Sequence, residues 1–421
     1  MSRWISLPAL LCFALVVSVP ASADGAPGKP KPKDPAPQPE PKAEPKPAES
    51  KVDRVGAGLN WLRDHQNFEG YWSSARFQED SIRKDAKRSY NLEFVKPGKA
   101  DGDIGWSDDV DVGLTGLGLL SFVGAGYDHK EGDYRETVRR ALMYLRKVQA
   151  NDGCFGAKEE DCFVYNHAIA TMALCEAYGI SGDEALKKTG DRAVDFILKA
   201  QNPGLAWRYG VKPGENDTSF TGWAILALKS ARIAGLEFET KDAFDGAVAW
   251  LDSVTVVLKG VAKTGYNLPA SDNARLRAAQ SYETNPTMDA INVCTRLLMG
   301  TSDAKDKNLV SQVKVIGKSL PSWAQKKLDY MYWFWGTMAM FQIGGDSWTK
   351  WESAICKTLQ DNQRGFKSQD KETTEATLDE YGSWDAVDAW GAAGGRVYAT
   401  TVNCLTLEIA NRAKRLQPKE K

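Results

Sequence analysis

Residues Asp191–Gly235 read DRAVDFILKAQNPGLAWRYGVKPGENDTSFTGWAILALKSARIAG. Ala193, Phe196, Ile197 and Ala200 fall at i, i+3, i+4 and i+7, the spacing of one apolar helix face. Pro203 and Gly204 stop that helix. A polar loop carrying Trp207 and Tyr209 follows, and Asp217 or Thr218 is placed to cap a second helix. That second helix is apolar on nearly every side from Phe220 to Ala234, so it must be buried. The unit is a half-wet outer helix followed by a dry inner one.

The unit recurs, and the recurrence decides the architecture. Gln66 is followed by Gly70 and Trp72, Gln149 by Gly153 and Phe155, Gln201 by Gly204 and Trp207. In each case the aromatic stands six residues after the glutamine. Gln363 precedes Gly382 and Trp384 with an insert between them. Outer helices around Val248–Leu251 and Leu309–Ile316 keep the pattern without the glutamine. Inner helices are predicted over Gly113–Gly126, His167–Gly179, Phe220–Gly235, Thr287–Gly300, Tyr332–Gly345 and Tyr398–Arg412. One hairpin cannot bury an all-round apolar helix, whereas six outer and six inner helices closed into a ring can. The predicted fold is all-α, an α6/α6 toroid of six helical hairpins.

The Gln-x3-Gly-x-Trp arrangement resembles the QW repeat of squalene–hopene and oxidosqualene cyclases, whose α/α toroid is shared by protein prenyltransferase β subunits. The resemblance runs from about Val55 to Arg412. It implies the toroid; function rests on the site residues.

Met1–Ala23 has the form of a secretory signal: Arg3, an apolar run over Ile5–Val19, and the small-residue site Ala21-Ser22-Ala23. Cleavage near Ala23 and export to a periplasmic or extracellular space are expected. Asp24–Ser50 holds nine of the 18 prolines and no aromatic residue, so it reads as a disordered linker. The toroid is placed at residues 51–415 and a polar tail at 416–421. No stretch after the signal is long and apolar enough for a membrane span. The net charge of −1 gives no basic footprint for nucleic acid.

Cys154 and Cys162 flank a short polar loop, which suits a local disulfide in an oxidising compartment. The rival is a metal site with His167, but Cys-x7-Cys-x4-His is not a standard zinc spacing.

If the inner helices run parallel, their starts meet at one mouth of a central cavity. The residues there are Asp108, Asp109 and Asp111; Tyr165, Asn166 and His167; Asn216 and Asp217; Asp289; Asp329, Tyr330 and Tyr332; Arg396 and Tyr398. Each could serve as a helix cap, and together they could hold a ligand.

The resemblance implies a proton donor at the middle Asp of an Asp-x-Asp-Asp-Thr motif in class II triterpene cyclases. The corresponding stretch is Gly214-Glu215-Asn216-Asp217-Thr218, with Asn216 in the donor's place. An amide is no general acid. For prenyltransferases it implies zinc on an Asp-x-Cys-Tyr and a later Tyr-His-Thr. Here Asp329-Tyr330-Met331-Tyr332 and Tyr398-Ala399-Thr400 lack the Cys and the His, so no zinc and no cofactor is expected. The Asp108–Asp111 cluster remains as a candidate acid, or as an oxygen site for Mg²⁺ or Ca²⁺.

The expectation is therefore an exported, catalytically diverged toroid that binds an apolar, peptide or glycan ligand in its central cavity. Two alternatives stay open. One is a terpene-cyclase-like or prenyltransferase-like enzyme using Asp108–Asp111. The other is a carbohydrate-active toroid enzyme pairing Asp108 or Asp111 with Asp217.

Overall fold

The computed structural model describes residues 53–95, 102–105, 108–159, 163–272, 284–324 and 326–415, with residues 411–415 as backbone only. The signal, linker and tail lie outside the described residues, as does Cys162 of the expected disulfide.

The helices are α1 (Arg54–Asp64), the short α2 (Phe77–Asp80), α3 (Asp111–Gly124), α4 (Arg135–Val148), α5 (Phe163–Ser181), α6 (Glu184–Ala200) and α7 (Thr218–Ile233). They continue as α8 (Lys241–Val254), α9 (Thr287–Met299), α10 (Lys307–Ile316), α11 (Tyr330–Ile343), α12 (Gly345–Gln360) and α13 (Gly391–Arg415). Gly395 breaks helical geometry inside α13, with φ 59° and ψ −150°.

Burial separates two classes of helix. Every residue of α3 is buried, whereas α4 buries only Thr137, Val138, Ala141, Leu142 and Leu145. The dry helices form a closed ring: α3 packs on α5, α5 on α7, α7 on α9, α9 on α11, α11 on α13, and α13 returns to α3. Each has a half-wet helix behind it: α4, α6, α8, α10, α12 and α1 back α3, α5, α7, α9, α11 and α13 in turn. Neighbouring dry helices meet start to start and end to end. Tyr165 packs on Phe220 at the starts of α5 and α7, and Gly179 meets Ala234 at their ends. All starts therefore face one rim.

The repeated glutamine forms the joints. Gln66 Nε2 donates to the Gly70 carbonyl in its own loop and to the Thr137 carbonyl in the next outer helix, at 2.9 and 3.0 Å. Gln149 does the same to Gly153 and Thr189, Gln201 to Leu205 and Ala243, and Gln363 to Gly382 and Arg54. The last pair links the final joint to the first helix. The tryptophan locks each loop from within: the indole N–H groups of Trp72, Trp207 and Trp384 donate to the carbonyls of Leu62, Ile197 and Leu359.

The short α2 and a β-hairpin are additional to the elements expected from sequence. Strands β1 (Thr255–Leu258) and β2 (Val261–Thr264) form an antiparallel hairpin. Lys259 and Gly260 turn it with φ of 51° and 80°, the paired positive φ that suits strand twist.

Candidate functional site

The interior of the ring is occupied by aromatic side chains. Trp223 of α7 stacks on Phe334 of α11 with centroids 5.6 Å apart. Those helices are second neighbours, so their rings meet inside the circle. The expected central cavity is filled at this level, and the Tyr332–Trp335 run is core, with all four residues buried. The candidate residues lie at the rim where the dry helices start; buried polar groups also occur farther along them, such as Glu176 with Ser230.

Several expected rim residues are structural. His167 lies within the first turns of α5, which begins four residues earlier than predicted, at Phe163. Its Nδ1 accepts the Phe155 backbone N–H at 3.0 Å, which puts the ring proton on Nε2 to donate to the Ala193 carbonyl. Burial pushes its pKa down to about 4. With both nitrogens engaged it offers nothing to a ligand or to a metal shared with Cys154. Elsewhere a threonine takes that place: Thr115, Thr221 and Thr400 accept the backbone N–H of Trp72, Trp207 and Trp384. Asn166 ties two helices together, accepting from Gly113 N and donating to the Asp109 carbonyl. Asn216 accepts from Ala206 N and Asn202 Nδ2 and so knits its own loop. Tyr332 reaches carbonyls of Ile316 and Ser319 at the end of α10. Asp289 accepts from Thr264 N of the hairpin and from Gln312, and burial pushes it up to about 6.

The Asp108–Asp111 cluster does not converge. Asp111 is buried, accepts from Ser74 N at 2.8 Å, and is pushed up to about 7 by burial. Asp108 and Asp109 are exposed, and Asp108 faces Arg76 at 3.6 Å. Mg²⁺ or Ca²⁺ therefore has no three-carboxylate site there; among the described residues no group of three His, Cys, Asp or Glu side chains is placed to hold a metal. The prenyltransferase zinc set does not fit either. Asp329 caps α11 through Tyr332 N and accepts the Trp390 indole N–H, while Met331 and Ala399 bring no suitable donor.

Two clusters on the rim remain. In the first, Asp217 caps α7 through Phe220 N, but its Oδ2 is buried without a hydrogen-bond partner. Burial pushes this carboxyl up to about 7. Tyr165, Tyr209 and Tyr266 gather beside it. The Tyr165 and Tyr209 rings are 5.8 Å apart, and the Tyr209 and Tyr266 hydroxyls share a hydrogen bond. Arg208 lies 5.5 Å over the Tyr209 ring and 6.0 Å from that of Tyr266, and Tyr209 is 44% exposed. In the second, Asp388 accepts from Tyr330 N and from the Tyr398 hydroxyl, close to Asp329. Beside it Arg396 bridges Asp103 and Asp385 at 2.5 and 2.8 Å, and Lys367 joins Asp385 at 2.5 Å. Burial raises the Asp385 carboxyl, but Arg396 and Lys367 more than offset that and hold it well below the usual range.

Sequence reading missed Arg208, Tyr266 and Asp388. Arg208 follows a motif tryptophan directly and was open to discovery. Asp388 sits in the loop between Trp384 and α13, and a contact with Tyr330, 58 positions away in the chain, helps create its environment.

The comparisons with known proteins agree on the architecture. No family model matches the chain. Over 213 residues it is 25% identical to lanosterol synthase of Saccharomyces cerevisiae, covering 47% of this chain but only 26% of that enzyme. Among solved structures, a type II terpene cyclase from Scytonema matches with TM-score 0.50 and 13% identity over 85% of this chain and 97% of its own. The fold is a terpenoid cyclase-like α/α toroid. A glycoside hydrolase family 76 mannosidase from Bacteroides thetaiotaomicron matches equally, with TM-score 0.52 and 11% identity over 86% of this chain and 98% of its own. An inactive variant of an α-1,6-mannanase from Salegentibacter, in complex with α-1,6-mannotriose, matches with TM-score 0.51 and 9% identity over 85% of this chain and 99% of its own. These likenesses establish the fold alone. The toroid's helices include none, among the described residues, long and apolar enough to cross a membrane.

Proposed function

We propose that this is an exported six-repeat toroid with QW-like motifs, and that it binds a glycan at the rim where its dry helices start. One observation carries the reading: three tyrosines and Arg208 surround Asp217, whose Oδ2 is unsatisfied. Tyrosine faces give flat, apolar contact area to sugar rings, while the guanidinium and the bare carboxyl supply directed hydrogen bonds. An apolar ligand would leave the bare oxygen as unpaired as it is in the free chain and gain nothing there, whereas a ligand hydroxyl would relieve it. Isoprenoid cyclisation is not part of this reading, because Asn216 stands where the acid should be and its amide is committed to the loop. Incubation with squalene is expected to give no cyclic product. Calorimetric titration with manno- and chito-oligosaccharides should show saturable binding that Tyr209→Ala weakens about tenfold, or roughly 1.4 kcal/mol. Absence of binding by every oligosaccharide would sink the reading. Export is tested by sequencing the mature N-terminus, expected at Asp24; retention of residues 1–23 would reject it.

A second reading is hydrolytic. The mannanase variant was inactivated at two consecutive aspartates. This chain has consecutive aspartates, Asp108 and Asp109, exposed at the start of α3. Release of reducing ends from α-1,6-mannan, abolished by Asp108→Asn or Asp109→Asn, would establish it in place of simple binding.

A further inference from the structure

Six seams separate the outer helices. Glutamine fastens four of them, at Gln66, Gln149, Gln201 and Gln363. The hairpin closes the seam between α8 and α10, where Ala262 N donates to Ser311 Oγ and Gln312 Nε2 to Thr264 Oγ1. Among the described residues, the seam between α10 and α12 has neither device. Thr358 Oγ1 donates to the Pro321 carbonyl towards the end of α12. Nearer the start of α12 the wall opens into a cleft of about 300 Å³. Met340 of α11 and Val313 of α10 are its buried apolar residues, and Leu320 adds an exposed one. Lys314, Lys318 and Lys350 stand around it with Asp346 and Ser347. On other stretches of the outer helices a lysine is paired with an acid four residues along: Lys187 with Asp191, Lys241 with Asp245, Lys357 with Asp361. Asp346 and Lys350 have the same spacing, in the order that suits a helix, yet remain apart. Among the described residues none of the three cleft lysines is in an ion pair.

Three ammonium groups around one cleft repel one another, and an anion seated among them is attracted by all three. Lysine is a point charge without a bidentate fork, so it serves a carboxylate or a sulfate alike. The rest of the wall narrows the choice. Val313, Leu320 and Met340 offer apolar area to the C–H face of a ring. Asp346 accepts hydrogen bonds, and Ser347 donates and accepts, which suits hydroxyl groups beside the charge. The cleft stands at the lower end of the roughly 300–1,000 Å³ range of small-molecule sites, so one ring enters rather than a chain. A ring that carries both hydroxyls and an anionic group is an acidic sugar.

We propose that this cleft binds an acidic sugar, a uronate or a sugar sulfate, and that Lys314, Lys318 and Lys350 take its charge. The site is separate from the rim and does not depend on the rim reading. Its test is calorimetric titration of the full chain at low salt with four tetramers: galacturonate, its neutral methyl ester, 6-sulfated N-acetylglucosamine and glutamate. One acidic glycan or both are expected to bind at least about tenfold more tightly than the methyl ester and the glutamate peptide, and the tighter of the two identifies the acid. The double variant Lys314→Gln, Lys350→Gln is expected to erase that margin, and Tyr209→Ala to leave it. Both lysines are exposed, so the variant leaves the core untouched. Equal binding by the glutamate tetramer reduces the cleft to a general polyanion patch and overturns the proposal, as does the failure of both acidic glycans to bind. A margin that survives the lysine variant, or one that Tyr209→Ala removes, also overturns it and leaves the rim reading standing. Methyl NMR of the unaltered chain gives a second readout. Saturation with the tighter ligand should shift the methyl signals of Val313, Leu320 and Met340, and unmoved signals count against the proposal.

Discussion

A methyl group added at Gly70 has nowhere to go. The residue sits at φ +104°, and a Cβ there would lie 2.2 Å from the Arg140 carbonyl oxygen. Gly204 also has positive φ, at +68°, but nothing stands within 4 Å of its would-be Cβ. The pair separates conformational strain from collision. Gly204→Ala is expected to cost about 1–2 kcal/mol, the left-handed penalty alone. Gly70→Ala adds about 1–3 kcal/mol of overpacking against a backbone atom that cannot swing aside. Urea unfolding of the two variants checks this, and equal losses would show that the Arg140 backbone yields.

At the scale of the element, the third joint exchanges its parts. Where Gly70, Gly153 and Gly382 let a neighbouring carbonyl approach, Leu205 fills the place, and the glycine moves to the facing helix as Gly246. A Cβ on Gly246 would lie 2.2 Å from the Leu205 carbonyl oxygen. Helix propensity alone would make Gly246→Ala stabilising by about 1 kcal/mol. The collision opposes it by about 1–3 kcal/mol and is expected to win, giving a net loss in chemical denaturation. A net gain would mean that α8 can slide.

The joints were legible in the sequence because glutamine, glycine and tryptophan act on one another within a single loop. The burial contrast between α3 and α4 was legible for the same reason, as periodicity. His167 was misread because its position before an apolar run looks like a rim residue. The cue was its register with Thr115, Thr221 and Thr400, each of which takes a motif N–H. The hairpin has its local signal, Val and Thr residues around Lys259-Gly260, but lies inside an expected helical repeat. Asp388 left no local mark at all: Tyr330 and Tyr398, which hold it, come from two different dry helices.

For the whole molecule, the rim carries an unusual store of protons. Asp111, Asp217 and Asp388 titrate near 7 and Asp289 near 6, all raised first by burial, with the charge of Asp329 adding to the effect at Asp388. An unfolded aspartate titrates near 4. Between about pH 4 and 7 the folded chain holds protons that the unfolded chain has lost, so each group makes stability fall as pH rises, by about 1.4 kcal/mol per unit. His167 acts in the other direction: its folded pKa of about 4 lies below the ordinary value, so its contribution is lost as pH falls towards 4. Asp388→Asn isolates one term. From pH 4.5 to 6.5 the wild type is expected to lose stability more steeply than the variant, by up to about 1.4 kcal/mol per unit. Parallel profiles in urea unfolding would place the Asp388 proton elsewhere.

The amide of Gln363 grips the carbonyl of Arg54 with the same chemistry that fastens every other glutamine joint. The joint between Gln363 and α1 is thus, to the fold, one seam among equals. A permuted chain that joins the end of α13 to the start of α1 and opens at Gly182, between α5 and α6, keeps every joint intact. Gly182 has positive φ and no atom within 4 Å of its would-be Cβ, so a break there touches only local bonds, the Gly182 N–H to the Tyr178 carbonyl and the Asp183 N–H to Ser181 Oγ. Such a permutant is expected to give the circular dichroism spectrum of the parent and to unfold cooperatively. An array whose order can be rotated without loss owes its shape to closure itself, and a permutant that failed to fold would show that α1 must come first.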